Sequence, residues 1–151
     1  MGPQPLQPGQ EAPTIPGPSV AQNGRAVMFY KVTCPVCQQA APVAERLHRT
    51  FPDRFLAVGQ DPREKLDQFA EELAITFPAV PDEPPYPLSN AYGIRIVPTL
   101  FVLDDDRVVD LVESWDRDGW NRAGAKLGVM AGSPADALSW EGDGLPPFRP
   151  G

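Results

Sequence analysis

A continuous apolar run, Ala26-Val27-Met28-Phe29-Tyr30, leads after three residues into two cysteines in Thr33-Cys34-Pro35-Val36-Cys37. An unbroken run of this length, without polar alternation, is the pattern of a strand buried on both faces. Directly after it, Val36, Ala40, Val43, Ala44 and Leu47 recur at three- and four-residue spacing, with Glu45, Arg46 and Arg49 elsewhere on the turn. That is an amphipathic helix from Pro35 to about Thr50. Pro35 suits its first turn, where an N–H has no partner to lose, whereas Pro42 falls inside it and is expected to kink it or free one carbonyl. A doubly buried strand feeding a helix commits the chain to layers of helix on sheet.

The remaining pattern extends this plan. Phe55–Gly59 reads as a second buried strand. Asp61 is placed as the N-cap and Pro62 as the first residue of a second helix, whose apolar stripe is Leu66, Phe69, Ala70 and Leu73. Phe77–Val80 suits a short edge strand, residues 81–87 are irregular, and Ser89–Gly93 is a helical turn stopped by glycine. Pro98–Leu103 and Val108–Glu113 flank Asp104-Asp105-Asp106-Arg107 as a hairpin. Asp116 caps a last helix with Trp120, Ala123, Leu127 and Met130 inward and Gly128 or Gly132 near its end. The order βα, βα, irregular crossover, ββα implies a parallel portion of sheet with an antiparallel edge.

The 20 prolines among 151 residues concentrate at the ends and around 78–87. Residues 1–19 carry six of them without periodicity and read as a loose arm; residues 133–151 lapse into proline, glycine and aspartate. One domain, over residues 20–132, is therefore expected between a Pro-rich arm and a Pro/Gly-rich tail. A net charge of −7, with no basic cluster among aromatics, argues against nucleic acid as a partner. No apolar stretch approaches the ~18 residues of a membrane span. Met1–Pro18 lacks a leader's apolar run, so the expectation is a cytoplasmic monomer, with a periplasmic or membrane-anchored location open if a leader was removed.

Two cysteines two residues apart close too small a loop to act chiefly as a staple, so their spacing is better explained by reactivity. Thiol exchange requires a thiolate attacker, a second thiol within reach, and a setting that favours negative sulfur. Cys34, between strand and helix, lies where unpaired N–H groups and the helix dipole favour an anion, so it is the expected nucleophile. Cys37, one turn on and more buried, is the expected resolving thiol. No metal is expected, since a zinc site would want a second cysteine pair and the one histidine, His48, lies far along the helix. Tyr30, Trp115 and Trp120 are read as core or rim aromatics, and Lys31 and Glu45 as surface charges.

From about Val20 to Val129 the chain resembles the thioredoxin superfamily, and within it the TlpA-like thiol–disulfide oxidoreductases, or redoxins. The resemblance rests on the strand–CxxC–helix at Met28–Gln38 and on Tyr92-Gly93-Ile94-Arg95-Ile96-Val97-Pro98-Thr99-Leu100-Phe101-Val102-Leu103-Asp104. It implies an α/β, thioredoxin-like three-layer sandwich with a central mixed sheet of four to five strands and helices on both faces. It further implies that Pro98 is a cis-proline facing the cysteines. Thr33, Pro35, Val36, Val97 and Pro98 would contact substrate, with Val97 offering its backbone to a substrate strand. The implied activity is exchange with protein thiols and disulfides through a redox-active Cys34–Cys37 disulfide, with no other cofactor and a thioredoxin-type electron donor as one candidate partner. Three departures stand out. Thr33 replaces a common tryptophan, Met28 stands where thioredoxin proper has a buried aspartate, and Pro35-Val36 replaces Gly-Pro, so no potential carries over.

Two other functions remain open on the residues. A thiol peroxidase of peroxiredoxin type would carry Thr-x-x-Cys, but positions 31 and 34 hold Lys and Cys. A non-catalytic thioredoxin-fold binding module would keep the groove and leave the cysteine pair idle.

Overall fold

Side chains of β1 (Arg25–Tyr30) alternate across the sheet, with Ala26, Met28 and Tyr30 on one face and Val27 and Phe29 on the other, all of them buried. In the computed structural model, which describes residues 4–151, β1 lies at the centre of a five-stranded sheet of order β3-β2-β1-β4-β5. β2 (Phe55–Gly59) pairs with it in parallel, and β3 (Ala79–Pro81) extends that side in parallel. β4 (Thr99–Asp104) and β5 (Arg107–Glu113) are antiparallel on the other side, so the sheet is mixed as expected.

The first face is covered by α1 (Pro35–Thr50), α2 (Arg63–Leu73) and α4 (Arg117–Ala131). Leu47, Leu66, Phe69, Trp120 and Leu127 meet Met28, Tyr30 and Leu100 there. α1 runs unbroken through Pro42, which faces solvent, so the freed carbonyl is not buried. Tyr30, Trp115 and Trp120 are all in the core, as expected.

The second face is thinner. Among the described residues its one helix is α3 (Pro87–Tyr92), closed by Gly93 in the left-handed region at φ +69°. A Cβ on Gly93 would lie 2.0 Å from the carbonyl oxygen of Gln4, so the approach of the arm also demands glycine. The rest of the cover is the arm itself, which is not loose; residues 1–3 of it lie outside the described residues. Leu6, Ala12 and Ile15 pack on Val27, Phe29, Phe101 and Tyr92. Backbone bonds tie Gly9 and Gln10 to Val108, and Ala12 to Asp106, along β5. The Tyr92 hydroxyl donates to the Pro13 carbonyl. Proline denies this segment a periodic signature, but it does not deny it carbonyl acceptors or apolar surface.

The tail is ordered too. Leu138 inserts into the first-face core, and Asn121 clips the backbone of Leu138 and Ser139. Asp143 accepts from the Ser139 hydroxyl, the Leu145 N–H at 3.0 Å and Arg117 at 3.3 Å. Beyond it, β7 (Phe148–Arg149) pairs antiparallel with β6 (Trp115–Asp116), and the Trp115 indole donates to the Pro146 carbonyl at 2.7 Å.

Candidate active site

β1 ends at Tyr30 and α1 starts at Pro35, so Cys34 is the residue on which the helix opens. Its backbone is extended (φ −81°, ψ 117°), as an N-cap requires, and its sulfur accepts the Cys37 N–H at 3.2 Å. A sulfur in this position takes a helix N-terminal donor and the positive end of the dipole. Cys34 is half-buried and Cys37 fully buried, and both are free thiols. Burial pushes the Cys37 thiol well above the ordinary thiol range, and its hydrogen bond with Cys34 acts in the same direction.

The wall opposite is the loop before β4. The Val97-Pro98 bond is cis, and the Cys34 thiol donates to the Val97 carbonyl at 3.6 Å. The Thr99 hydroxyl holds the Ile96 carbonyl at 2.7 Å, and the Ser114 N–H holds that of Pro98 at 2.8 Å, so the loop is fixed from behind. Among the anticipated substrate contacts, Thr33 and Pro35 are exposed beside Cys34, and Val97 lies half-buried against it. Pro98 is buried behind. Val36 is corrected: its side chain turns into the core, because the second residue of α1 faces the sheet.

Asp61 is also corrected. Pro62 takes the N-cap of α2, which begins at Arg63 without a side-chain cap. The Asp61 carboxylate instead reaches across from the end of β2 and accepts the Val32 N–H at 2.9 Å, while Gln38 holds the Val32 carbonyl at 2.9 Å. The segment preceding Cys34 is thus clamped on both polar groups. The Asp61 charge opposes ionisation of both Cys37 and Tyr30. Asp and Pro at a helix start look the same in sequence whether the acid caps its own helix or a neighbouring loop. A carboxylate at the carboxyl end of a strand parallel to the one that leads to Cys34 is the signal that points to the second use.

Glu45, read as a surface charge, is buried. It accepts from the N–H groups of Thr76 at 2.8 Å and Phe77 at 3.0 Å, from the Thr76 hydroxyl, and from Arg49 at 2.8 Å. Burial opposes its charge, but these donors hold it below the usual carboxylate range. It fastens the α2–β3 connection to α1 and has no lone pair to spare for Cys37. His48 is half-buried near the Phe55 ring, away from the cysteines. Among the described residues, no group of three His, Cys, Asp or Glu side chains is placed to hold a metal ion, and no helix is long and apolar enough to cross a membrane.

The family model described as AhpC/TSA matches residues 8–112. The chain belongs to the AhpC/TSA family. Within that span lie both cysteines, the cis-proline loop and the central sheet. The thiol-disulfide oxidoreductase ResA of Geobacillus thermodenitrificans is 32% identical over 86 residues, 54% of this chain and 49% of that protein. ResA of Geobacillus kaustophilus is 31% identical over the same shares. The chain therefore spans about half the length of the curated relatives it matches. Among solved structures, the thioredoxin domain of a thiol-disulfide oxidoreductase from Bacteroides vulgatus superposes with TM-score 0.67. It has 20% identity and covers 81% of this chain and 99% of the other. A thiol:disulfide interchange protein of Chlorobium tepidum superposes with TM-score 0.63 and 19% identity, covering 81% and 97%. At such identities the likeness shows the fold. The AhpC/TSA chain described here is thioredoxin-like in architecture, with its cysteine pair at the carboxyl end of the central strand.

Proposed function

We propose that this protein exchanges thiols and disulfides with protein substrates, with Cys34 as nucleophile and Cys37 as resolving thiol. The carrying observation is the division of environment within one helical turn: a half-buried sulfur receiving a helix N-terminal N–H, and a buried thiol whose ionisation is opposed. The Cys34 thiolate attacks one sulfur of a substrate disulfide. The S–S bond breaks, a mixed disulfide forms, and the leaving substrate thiolate takes a proton. Cys37 then gives up its proton and attacks the Cys34 sulfur. The second substrate thiol departs, and a Cys34–Cys37 disulfide holds the two-electron oxidation equivalent.

Low reactivity of Cys37 before the mixed disulfide forms keeps the two thiols from competing for substrate. Thr33, Pro35 and the backbone of Val97 are the proposed substrate contacts, Pro98 shapes the wall behind them, and Val36 serves the core. The electron donor proposed is a thioredoxin-type dithiol protein. The unit proposed is the monomer, because both cysteines and the facing loop come from one chain. Whether the couple runs as reductant or oxidant follows from its potential, about 29.6 mV for each tenfold in equilibrium constant.

The test is insulin reduction driven by dithiothreitol. Wild type is expected to turn over insulin and Cys34→Ser to fall to the uncatalysed rate. Cys37→Ser is expected to accumulate a Cys34 mixed disulfide detectable by mass. Wild-type activity retained by Cys34→Ser would overturn the proposal.

A further inference from the structure

Resting on this exchange reading, we propose that segment 145–151 is a specificity strap. It lies over the strand-docking edge at Ile96-Val97, so polypeptide disulfides must displace it while small disulfides reach Cys34 directly. Gly151 carries the argument. A Cβ on it would lie 2.1 Å from the Val97 carbonyl oxygen, 2.9 Å from the Val97 carbonyl carbon and 3.1 Å from Ile96 Cγ1. The backbone of the segment therefore rests on the very peptide group whose oxygen takes the Cys34 thiol at 3.6 Å. A substrate strand aligned along Val97 and the strap compete for one place.

The strap is anchored unevenly. Its base is held firmly: Arg117, itself mostly buried, binds Asp143 and the Leu145 carbonyl, and its N–H donates to the Pro147 carbonyl at 3.0 Å. Its far part is held by the two-residue β6–β7 pairing, by the Gly151 N–H on the Ser114 hydroxyl at 3.1 Å and by Arg149 on Gln39 Oε1 at 3.2 Å, an exposed pair. Ser114 also holds the Pro98 carbonyl through its N–H, so the Gly151 contact adjoins the loop that faces Cys34. β7 is two residues long and both are exposed, so this part can lift while Leu138 and Asp143 stay seated. The sequence Leu145-Pro146-Pro147-Phe148-Arg149-Pro150-Gly151 has no cysteine, so it fills the edge without being consumed, and its three prolines favour an extended path.

The strap leaves Cys34 half-buried, with the exposed Thr33 and Pro35 on either side of it in sequence. A disulfide that makes no strand contact with Val97 can meet the sulfur on this exposed side. The strap therefore ranks substrates by whether they need the covered edge.

The experiment compares insulin with glutathione disulfide as substrates of wild type, Gly151→Val and Gln39→Ala. Gly151→Val forces the segment off Val97, and Gln39→Ala removes the Arg149 contact; neither alters a cysteine, the loop at Val97-Pro98 or its Ser114 anchor. If the strap covers the edge nine-tenths of the time, lifting it raises kcat/KM for insulin on the order of tenfold, mainly through KM. The value for glutathione disulfide is expected to move less than twofold. An unchanged insulin value, or equal changes for both substrates, would overturn the strap. A chain shortened by residues 148–151 should match Gly151→Val, and Gly151→Val decides the matter if the shortened chain fails to fold. Absence of Cys34-dependent exchange with either substrate in every variant would sink the exchange reading itself; exchange without a substrate-selective change sinks only the strap.

Discussion

The two proline-rich ends of this chain look alike in composition and behave differently in the structure. The first lies along the thin face of the sheet, fills it with Leu6, Ala12 and Ile15, and hydrogen-bonds to β5. The last is pinned at Leu138 and Asp143 and reaches the cis-proline loop with Gly151. One end fills a face of the core; the other sends one side chain, Leu138, fully into the core and runs on to the loop facing Cys34. The composition of a segment sets how it can bond, but the surface it meets decides what the bonding does.

The sharpest way to break this contrast is Tyr92→Ala. Tyr92 is fully buried between Phe29 and Phe101, with ring centroids 5.0 and 5.4 Å away, and its hydroxyl binds the arm. Loss of about 3–5 kcal/mol is expected in urea unfolding, with Cys34 exchange intact in the fraction that remains folded. A loss under 1 kcal/mol would mean that the arm is no part of the core. Leu138→Ala, at the base of the tail, is expected to cost about 2–4 kcal/mol, since this buried side chain packs against α4 at Gly124.

Tyr92→Phe sharpens the comparison by deleting only the hydroxyl. The Pro13 carbonyl loses its donor, and about 1 kcal/mol should go with it. Acid tests the tail's base in the same way. The Ser139 hydroxyl and the N–H groups of Leu145 and Trp140, with Arg117, hold the Asp143 carboxyl down at about 2, against about 3.9 for a free aspartate. Because the folded value is depressed, this anchoring is present above pH ~4 and is lost as pH falls toward 2. Trp fluorescence over that range should report release of the tail in wild type and no such transition in Asp143→Asn. The smallest effect is expected for Phe148→Ala, an exposed strap residue, at under about 0.5 kcal/mol.

The parts of the molecule legible in sequence are those whose burial is written in local periodicity. β1, α1, the β4–β5 hairpin and the cysteine pair all follow from apolar spacing over a few residues, and Pro98 follows from resemblance. Asp61, Glu45 and Val36 were misplaced because their partners, or the direction of the face they occupy, are set by tertiary contacts. Asp61 reaches Val32 across 29 residues, and Glu45 reaches Thr76 across 31. Both ends were opaque for a related reason. Gly9 meets Val108 and Gly151 meets Val97, and nothing within either segment marks those meetings.

The arm's backbone bonds to β5 also bear on how copies of this protein meet. On that side of the sheet, the N–H and carbonyl groups of Val108 are already taken by Gln10 and Gly9. On the other side, β3 is three residues long and ends in Pro81, which has no N–H to offer. At these two places the borders offer no template to a strand from a second molecule, which limits edge-to-edge pairing there.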